Sequence, residues 1–193
     1  MINRITIQAY QVGLVFEKGK LINVLEAGSY WIFGNKQVHI YEMKQSFVAP
    51  IELTILLQNE KLASLLEVIE IADNEIALYY VNGMFKEVLT TGRYALWKGY
   101  LDNAFTKIDL SKVEITEVVP VALLENIKVR AYTRKYQVLN FEKGLLFVNG
   151  AFVKELAAGN YYFWNNAIPI EVKNVDIRQQ QMEIAGQELL TKD

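Results

Sequence analysis

The side chains that could carry acid–base or metal chemistry are few in this chain. His39 is its only histidine, and it lies in an alternating segment between Val38 and Ile40. A catalytic or metal-binding imidazole needs positioned partner groups, and the sequence around His39 offers none. We therefore predict that His39 has a structural role or faces solvent.

Paired carboxylates are the second candidate for catalysis. Glu67 lies near Glu70, and Asp73 near Glu75, so either pair could act as general acid and base if a cleft held it together. The sequence places neither pair in a cleft, and it lacks phosphate-binding, zinc-hydrolase and serine-hydrolase motifs. We predict no catalytic, cofactor-binding or metal-binding residues and a protein that is not an enzyme. A hydrolase that uses a carboxylate pair is the competing hypothesis.

The composition is that of a folded globular chain. Hydrophobic residues make up 52% and charged residues 22% of the 193 residues, and the formal net charge is −2 without a long basic run. These values argue against a nucleic-acid partner. The absence of cysteine excludes disulfides and thiolate metal sites. No apolar run reaches the roughly 18–20 residues that span a bilayer, so we predict a cytoplasmic protein without a transmembrane segment and leave peripheral membrane attachment open.

One short pattern occurs three times and organises the chain. In each copy a glycine is followed nine residues later by a second glycine, which precedes a tyrosine by two residues and a further aromatic by five. Self-similarity of this kind indicates a repeated supersecondary unit. The structural repeat residues are Gly19, Gly28, Tyr30 and Phe33; Gly83, Gly92, Tyr94 and Trp97; and Gly150, Gly159, Tyr161 and Trp164.

Each copy predicts a three-stranded β-meander with glycine at both corners, followed by a fourth alternating strand. Asn82-Gly83 and Asn149-Gly150 lie between apolar runs, which is the strongest short-range hairpin signal. The aromatics of the third strand are interpreted as core side chains. The predicted fold class is α+β, mainly β, with three tandem antiparallel β-meander modules and short connecting helices. The predicted divisions are 1–58, 59–128 and 129–193.

Two helices are predicted between the modules. Asn59 is a candidate N-cap, and the apolar residues that follow have helical spacing through Ile69. The second helix begins near Pro120 and includes Leu123 and Leu124. Because it contains many β-branched residues, the stretch 113–121 between them predicts a strand.

Two motifs in the last third of the chain resemble a known family. Residues 141–150, Phe-Glu-Lys-Gly-Leu-Leu-Phe-Val-Asn-Gly, look like the opening of the stomatin/prohibitin/flotillin (band 7, or SPFH) domain. Val-Asp-Ile-Arg at 175–178 and Gln-Glu-Leu-Leu-Thr-Lys-Asp at 187–193 are similar to the slipin pattern. The resemblance covers roughly residues 130–193. The matching residues are Glu142, Gly144, Asp176, Arg178, Gln187, Glu188, Thr191, Lys192 and Asp193.

The resemblance implies a slipin-like fragment with two extra modules ahead of a truncated band 7 domain. It implies a non-enzymatic scaffold or adaptor that mediates protein–protein assembly, homo-oligomeric in its full-length form and partnered by a membrane-associated protease. The hydrophobic hairpin that anchors stomatins is replaced here by residues 1–128. The alternative is a peptide- or glycan-binding repeat module that displays Trp31, Trp97 and Trp164 on a common face.

Overall fold

The computed structural model describes residues 2–178, and this part of the chain is mainly β, with antiparallel pairing. The predicted mainly β class is therefore confirmed. The chain divides into two compact units, Met1–Ser111 and Lys112–Asp193. The predicted divisions after residues 58 and 128 stay predictions.

The same order of five strands occurs three times, and we call each set a module. Module 1 contains β1 (Ile2–Ile7), β2 (Gln11–Glu17), β3 (Lys20–Leu25), β4 (Gly28–Phe33) and β5 (Gln37–Glu42). Module 2 contains β6 (Leu66–Ile71), β7 (Glu75–Val81), β8 (Met84–Leu89), β9 (Gly92–Trp97) and β10 (Asn103–Asp109). Module 3 contains β11 (Thr133–Val138), β12 (Glu142–Val148), β13 (Ala151–Leu156), β14 (Gly159–Trp164) and β15 (Ile170–Asp176).

Each module combines a two-stranded ribbon with a three-stranded sheet. In module 1 the ribbon joins β1 to β4, and the sheet has the order β3-β2-β5. Ribbons β6-β9 and β11-β14 and sheets β10-β7-β8 and β13-β12-β15 repeat this pairing. The predicted meander is wrong in its pairing, because the aromatic strand leaves the hairpin and pairs with a strand earlier in the chain. Ile2 thus lies opposite Phe33.

The first corner of each repeat is a tight hairpin. Both central turn residues have positive φ, 50° at Lys18 and 77° at Gly19, with closely similar values at Asn82-Gly83 and Asn149-Gly150. Positive φ at both positions defines a type I′ turn, whose twist matches that of the flanking strands. The predicted hairpins are confirmed.

At the second corner the tyrosine side chain folds back over the glycine two residues before it, an arrangement that we call the tyrosine clamp. Gly28 has a φ of 154°, and a Cβ placed on it would lie 3.1 Å from the Tyr30 hydroxyl oxygen. That hydroxyl donates to the carbonyl oxygen of Glu26 at 3.0 Å. The same bond joins Tyr94 to Thr90 at 3.0 Å and Tyr161 to Ala157 at 2.8 Å. The Gly-x-Tyr spacing therefore encodes a local clamp at the start of the ribbon strand.

The central strand of module 1 is buried on both faces. One face contributes Val15 to a core with Ile7 of the ribbon and Leu25. The opposite face contributes Val12, Leu14 and Phe16 to a second core that includes Ala95 and Trp97 of module 2. Burial on both sides explains why β2 is a continuous apolar run.

Short helices lie in the segments that precede modules 2 and 3. Connector 1, residues 43–65, contains α1 (Leu53–Leu56) and α2 (Glu60–Leu65). Connector 2, residues 112–132, contains α3 (Val121–Leu124) and α4 (Ile127–Arg130). Asn59 caps α2 as predicted, since its side-chain oxygen accepts from the Leu62 amide at 3.0 Å. Pro120 is the N-cap residue of α3.

Two local predictions in these segments are wrong. The first predicted helix continued through Ile69, but α2 ends at Leu65 and β6 begins at Leu66. Pairing with β9, which places Leu66 opposite Trp97, supplies long-range hydrogen bonds that local spacing does not reveal. In the predicted strand 113–121, Glu114 forms one isolated bridge with Phe163, and Val121 begins α3.

Candidate functional site

The ionisable residues considered for catalysis do not converge in the described part of the chain. His39 is exposed on β5, with its ring 5.4 Å from that of Phe16. Glu70 pairs with Arg93 at 2.5 Å, and Glu75 lies 3.8 Å from Lys107. Within residues 2–178 no group of three or more potential metal ligands clusters together.

A groove of about 560 Å³ lies between the β2–β3 hairpin and connector 1. Leu21, Ile51 and Ile55 supply its apolar lining, and Lys20 is the ionisable residue among those that line it. The side chain of Asn59, which also lines the groove, is already used to cap α2. The groove therefore has the shape of a pocket but offers no pair of groups for acid–base chemistry.

The segments that carry the family resemblance lie on neighbouring strands. Glu142 at the start of β12 lies opposite Asp176 at the end of β15. Arg178 places its guanidinium 4.1 Å from the centre of the Phe141 ring, and its side chain also binds Asp176. The hydrogen bonds from Arg178 lower the pKa of the half-buried Asp176 carboxyl. Gln187, Glu188, Thr191, Lys192 and Asp193 lie outside the described residues.

Gly144 has a packing role at the centre of module 3. It is buried on β12, and a Cβ at this position would lie 2.7 Å from Cγ2 of Val138 on the ribbon. Ala77 occupies the equivalent position of module 2. Gly144 therefore allows close approach of ribbon and sheet.

The final aromatic of the repeat has two different environments. Trp97 and Trp164 are buried, with 2% and 0% of their surface exposed, as expected for core side chains. Phe33 at the same position is 57% exposed, so the predicted core role is wrong there. The difference lies in what covers the outward face of each ribbon.

Connector 1 covers the outward face of the ribbon β6-β9. The amide of Phe47 donates to the carbonyl oxygen of Ala95 at 2.9 Å, and the Phe47 ring lies 5.1 Å from that of Trp97. Arg93 donates to the Thr54 hydroxyl at 2.9 Å. The indole N–H of Trp97 is buried without a hydrogen-bond acceptor among the described residues.

Connector 2 contacts the outward face of the ribbon β11-β14 through two carboxylates. Glu117 accepts from the indole N–H of Trp164 at 3.2 Å. Glu125, immediately after α3, accepts from Lys135 at 2.5 Å and from the Tyr162 hydroxyl. The hydrogen bond from Lys135, followed by that from Tyr162, lowers the pKa of Glu125, and the bond to Glu125 raises the pKa of Tyr162.

The outward face of the ribbon β1-β4 is open in the described part of the chain. Four of its side chains, Ile2, Arg4, Trp31 and Phe33, make up what we call the first-ribbon face. Arg4 lies opposite Trp31, with its guanidinium 5.9 Å from the indole ring, and Ile2 lies opposite Phe33. Ile2 and Trp31 are 61% and 60% exposed. Clusters of large apolar side chains at a protein surface are a common feature of interaction sites.

A shallow cleft of about 290 Å³ adjoins the first-ribbon face. Trp31 and Phe33 line it together with Lys36 and Ile22. Among residues 2–178, no carboxylate forms an ion pair with Arg4. The surface therefore combines apolar contact area with a positive charge that is open to an external acceptor.

Sequence reasoning singled out Trp31 and Phe33 but missed Ile2 and Arg4. Both missed residues lie on a strand that was not recognised as part of the repeat. An alignment extended toward the start of each module places Arg4 at the position of Lys135. That match was the signal that could have identified Arg4.

Comparison of the chain with protein-family models, with curated proteins and with solved structures found no match. No helix within residues 2–178 has the length and apolar character needed to cross a bilayer.

Proposed function

We propose that this protein is a non-enzymatic scaffold or adaptor that mediates protein–protein assembly through the first-ribbon face. The observation that carries the proposal is the exposure of Ile2, Trp31 and Phe33 on one side of a ribbon. In module 2 the corresponding residues Leu66, Ala95 and Trp97 belong to a core shared with module 1. The outward side of the second ribbon is thus already used for packing against another segment of the same chain.

A slipin-like, band 7 affiliation is the finer form of this proposal. It rests on the sequence resemblance of residues 141–150, 175–178 and 187–193 to that family. Under this affiliation the full-length protein forms homo-oligomers, lies peripherally on the cytoplasmic side of a membrane and has a membrane-associated protease as a partner.

The assembly proposal is tested by sedimentation velocity of the full-length protein over a wide concentration range, combined with flotation on liposomes. We expect assemblies larger than a monomer, and fewer of them in a Trp31→Asp variant. Lys98→Glu, on an exposed turn of module 2, is the control for a surface charge change. A protein that remains monomeric at every concentration and does not float would contradict the proposal.

A glycan- or peptide-binding module is the second candidate, and the exposed Trp31 indole favours it. Because Trp97 and Trp164 are buried, the three tryptophans do not form the common display face that this hypothesis predicted. Fluorescence quenching by iodide isolates Trp31, and glycan titration under these conditions tests the glycan form. Protection of Trp31 by a glycan, with assembly unchanged in Trp31→Asp, would favour this candidate over the scaffold.

A further inference from the structure

We propose that the first-ribbon face binds a short helical segment of a partner protein in which a leucine is followed directly by a glutamate or aspartate. Connector 2 on the ribbon of module 3 is the template for this interaction. The inference rests on the proposed scaffold function and deepens it by naming the chemistry of the partner.

One pair of directly opposed outward positions carries comparable side chains on the first and third ribbons. Arg4 and Trp31 are directly opposite on the first ribbon, and Lys135 and Tyr162 are directly opposite on the third. In both pairs the cation lies near the aromatic ring, at 5.9 Å for Arg4 and 5.5 Å for Lys135. The two ribbons thus present the same combination of a cation and an aromatic ring.

On the third ribbon a single carboxylate engages both members of that pair. Glu125 accepts a hydrogen bond from the Lys135 ammonium at 2.5 Å and another from the Tyr162 hydroxyl. On the first ribbon, Arg4 lies at the position of Lys135. Its planar guanidinium can donate two parallel hydrogen bonds to one carboxylate. Trp31 carries no hydroxyl, so Arg4 would hold the acidic group while the indole supplies apolar contact.

The local geometry of connector 2 explains why leucine should precede the acid. Leu124 ends α3 and is 5% exposed, whereas Glu125, the next residue, is at the surface. Asn126 then caps α4 by accepting from the Lys128 amide at 2.9 Å. A helix that ends in Leu-Glu therefore has a buried apolar residue directly before the carboxylate that reaches the ribbon.

This pattern favours a peptide over other ligands that contact tryptophan. A glycan would stack on Trp31 but would not need the carboxylate acceptor that Arg4 lacks among residues 2–178. A leucine–acid segment uses Arg4 together with the apolar surface of Ile2 and Phe33, both more than half exposed.

The probe is a fluorescein-labelled peptide with the sequence of residues 120–130, titrated with the full chain and followed by anisotropy. We expect saturable binding, with up to about fivefold weaker affinity for a Glu125→Gln peptide, the upper end of the range for loss of one exposed ion pair. Trp31→Ala in the protein should weaken binding at least as much. Lys98→Glu is the matched control and should leave the affinity unchanged.

A charge-reversal experiment decides whether Arg4 binds the acidic residue of the peptide. Arg4→Glu should reduce binding of the natural peptide, and a Glu125→Lys peptide should recover affinity for this variant relative to the natural peptide. Because the third ribbon already holds the chain's own Glu125, dependence on Arg4 identifies the first ribbon as the binding surface. Circular dichroism of each variant checks that the fold is retained.

Two results would overturn the proposal: absence of saturable binding by the folded wild-type chain, or equal affinity for wild type, Arg4→Glu and Trp31→Ala. If either occurs while Trp31→Asp still disrupts assembly, the peptide chemistry is wrong and the scaffold function stands. If wild type and Trp31→Asp are also both monomeric at every concentration, the proposed function fails as well.

Discussion

The first and third ribbons carry similar outward side chains but differ in what covers them. Arg4 and Phe33 face outward on the first ribbon without a covering segment among the described residues. Their counterparts Lys135 and Trp164 are bound by carboxylates of connector 2. The comparison shows that a repeat position does not determine whether a side chain is core or surface. In modules 2 and 3 the connector segment covers the ribbon and buries the aromatic.

The largest expected effect comes from truncating the final aromatic of the repeat, which is Trp164 in module 3 and Phe33 in module 1. Trp164→Ala should lower the free energy of unfolding by about 3–5 kcal/mol, because it removes a large buried side chain. Phe33→Ala should cost less than about 1 kcal/mol, since most of that ring is already in water. Urea unfolding followed by circular dichroism measures both. Equal losses would mean that the first ribbon is covered in solution.

The next effect concerns the glycines beneath the two ribbons. Gly144→Ala should cost about 1–3 kcal/mol through overpacking, since the new Cβ would lie 2.7 Å from Val138. Gly13→Ala should cost less, because its Cβ would meet the far end of the Ile7 side chain at 2.9 Å and its next neighbour, Leu25, only at 3.4 Å. Thermal unfolding of the two variants tests the order. A larger loss for Gly13→Ala would contradict it.

A smaller loss of folding stability is expected when the tyrosine clamps are altered, and it should be similar in modules 1 and 3. Tyr30→Phe and Tyr161→Phe each remove a hydroxyl that donates to a carbonyl oxygen, at 3.0 and 2.8 Å. Each should cost about 0.5–1.5 kcal/mol. Urea midpoints of both variants provide the measurement. A loss in only one module would show that the clamp depends on the covering segment.

The smallest effect is the pH dependence that Glu125 contributes to module 3. Bonds from Lys135 and Tyr162 lower its pKa in the folded chain below the ordinary value of 4.5. The contribution is therefore fully present above pH 4.5 and is lost as the pH falls through the lowered folded value. Below pH 4.5 the Glu125→Gln variant should therefore lose less stability on acidification than the wild-type protein does. Unfolding midpoints measured from pH 7 to pH 3 test this, and an unchanged acid slope would contradict it.

The local elements of the fold were predictable because their causes are local. Asn82-Gly83 and Asn149-Gly150 specify type I′ turns through their own backbone preferences, and Asn59 specifies a cap through its side chain. The end of α2 was not predictable in the same way. Helical spacing continues past Leu65, but Leu66 becomes extended by pairing with β9, a partner about 30 residues later in the sequence.

The candidate site was predictable only in part for the same reason. Trp31 was recognisable as an aromatic of uncertain exposure, whereas Phe33 could not be separated from Trp97 and Trp164 by its position in the repeat. Exposure depends on the cover provided by another segment, and that cover is a long-range property. Arg4 was missed because its strand lies ahead of the glycine pattern.

The interleaved pairing within each module has a consequence for its folding during synthesis. The hairpin of β2 and β3 can close as soon as both strands are made, but β1 must wait for β4, since Ile2 pairs with Phe33. The sheet is completed later still, when β5 pairs with β2. A nascent module therefore carries an unpaired first strand beside a finished hairpin, and during that interval it is open to pairing with the wrong strand.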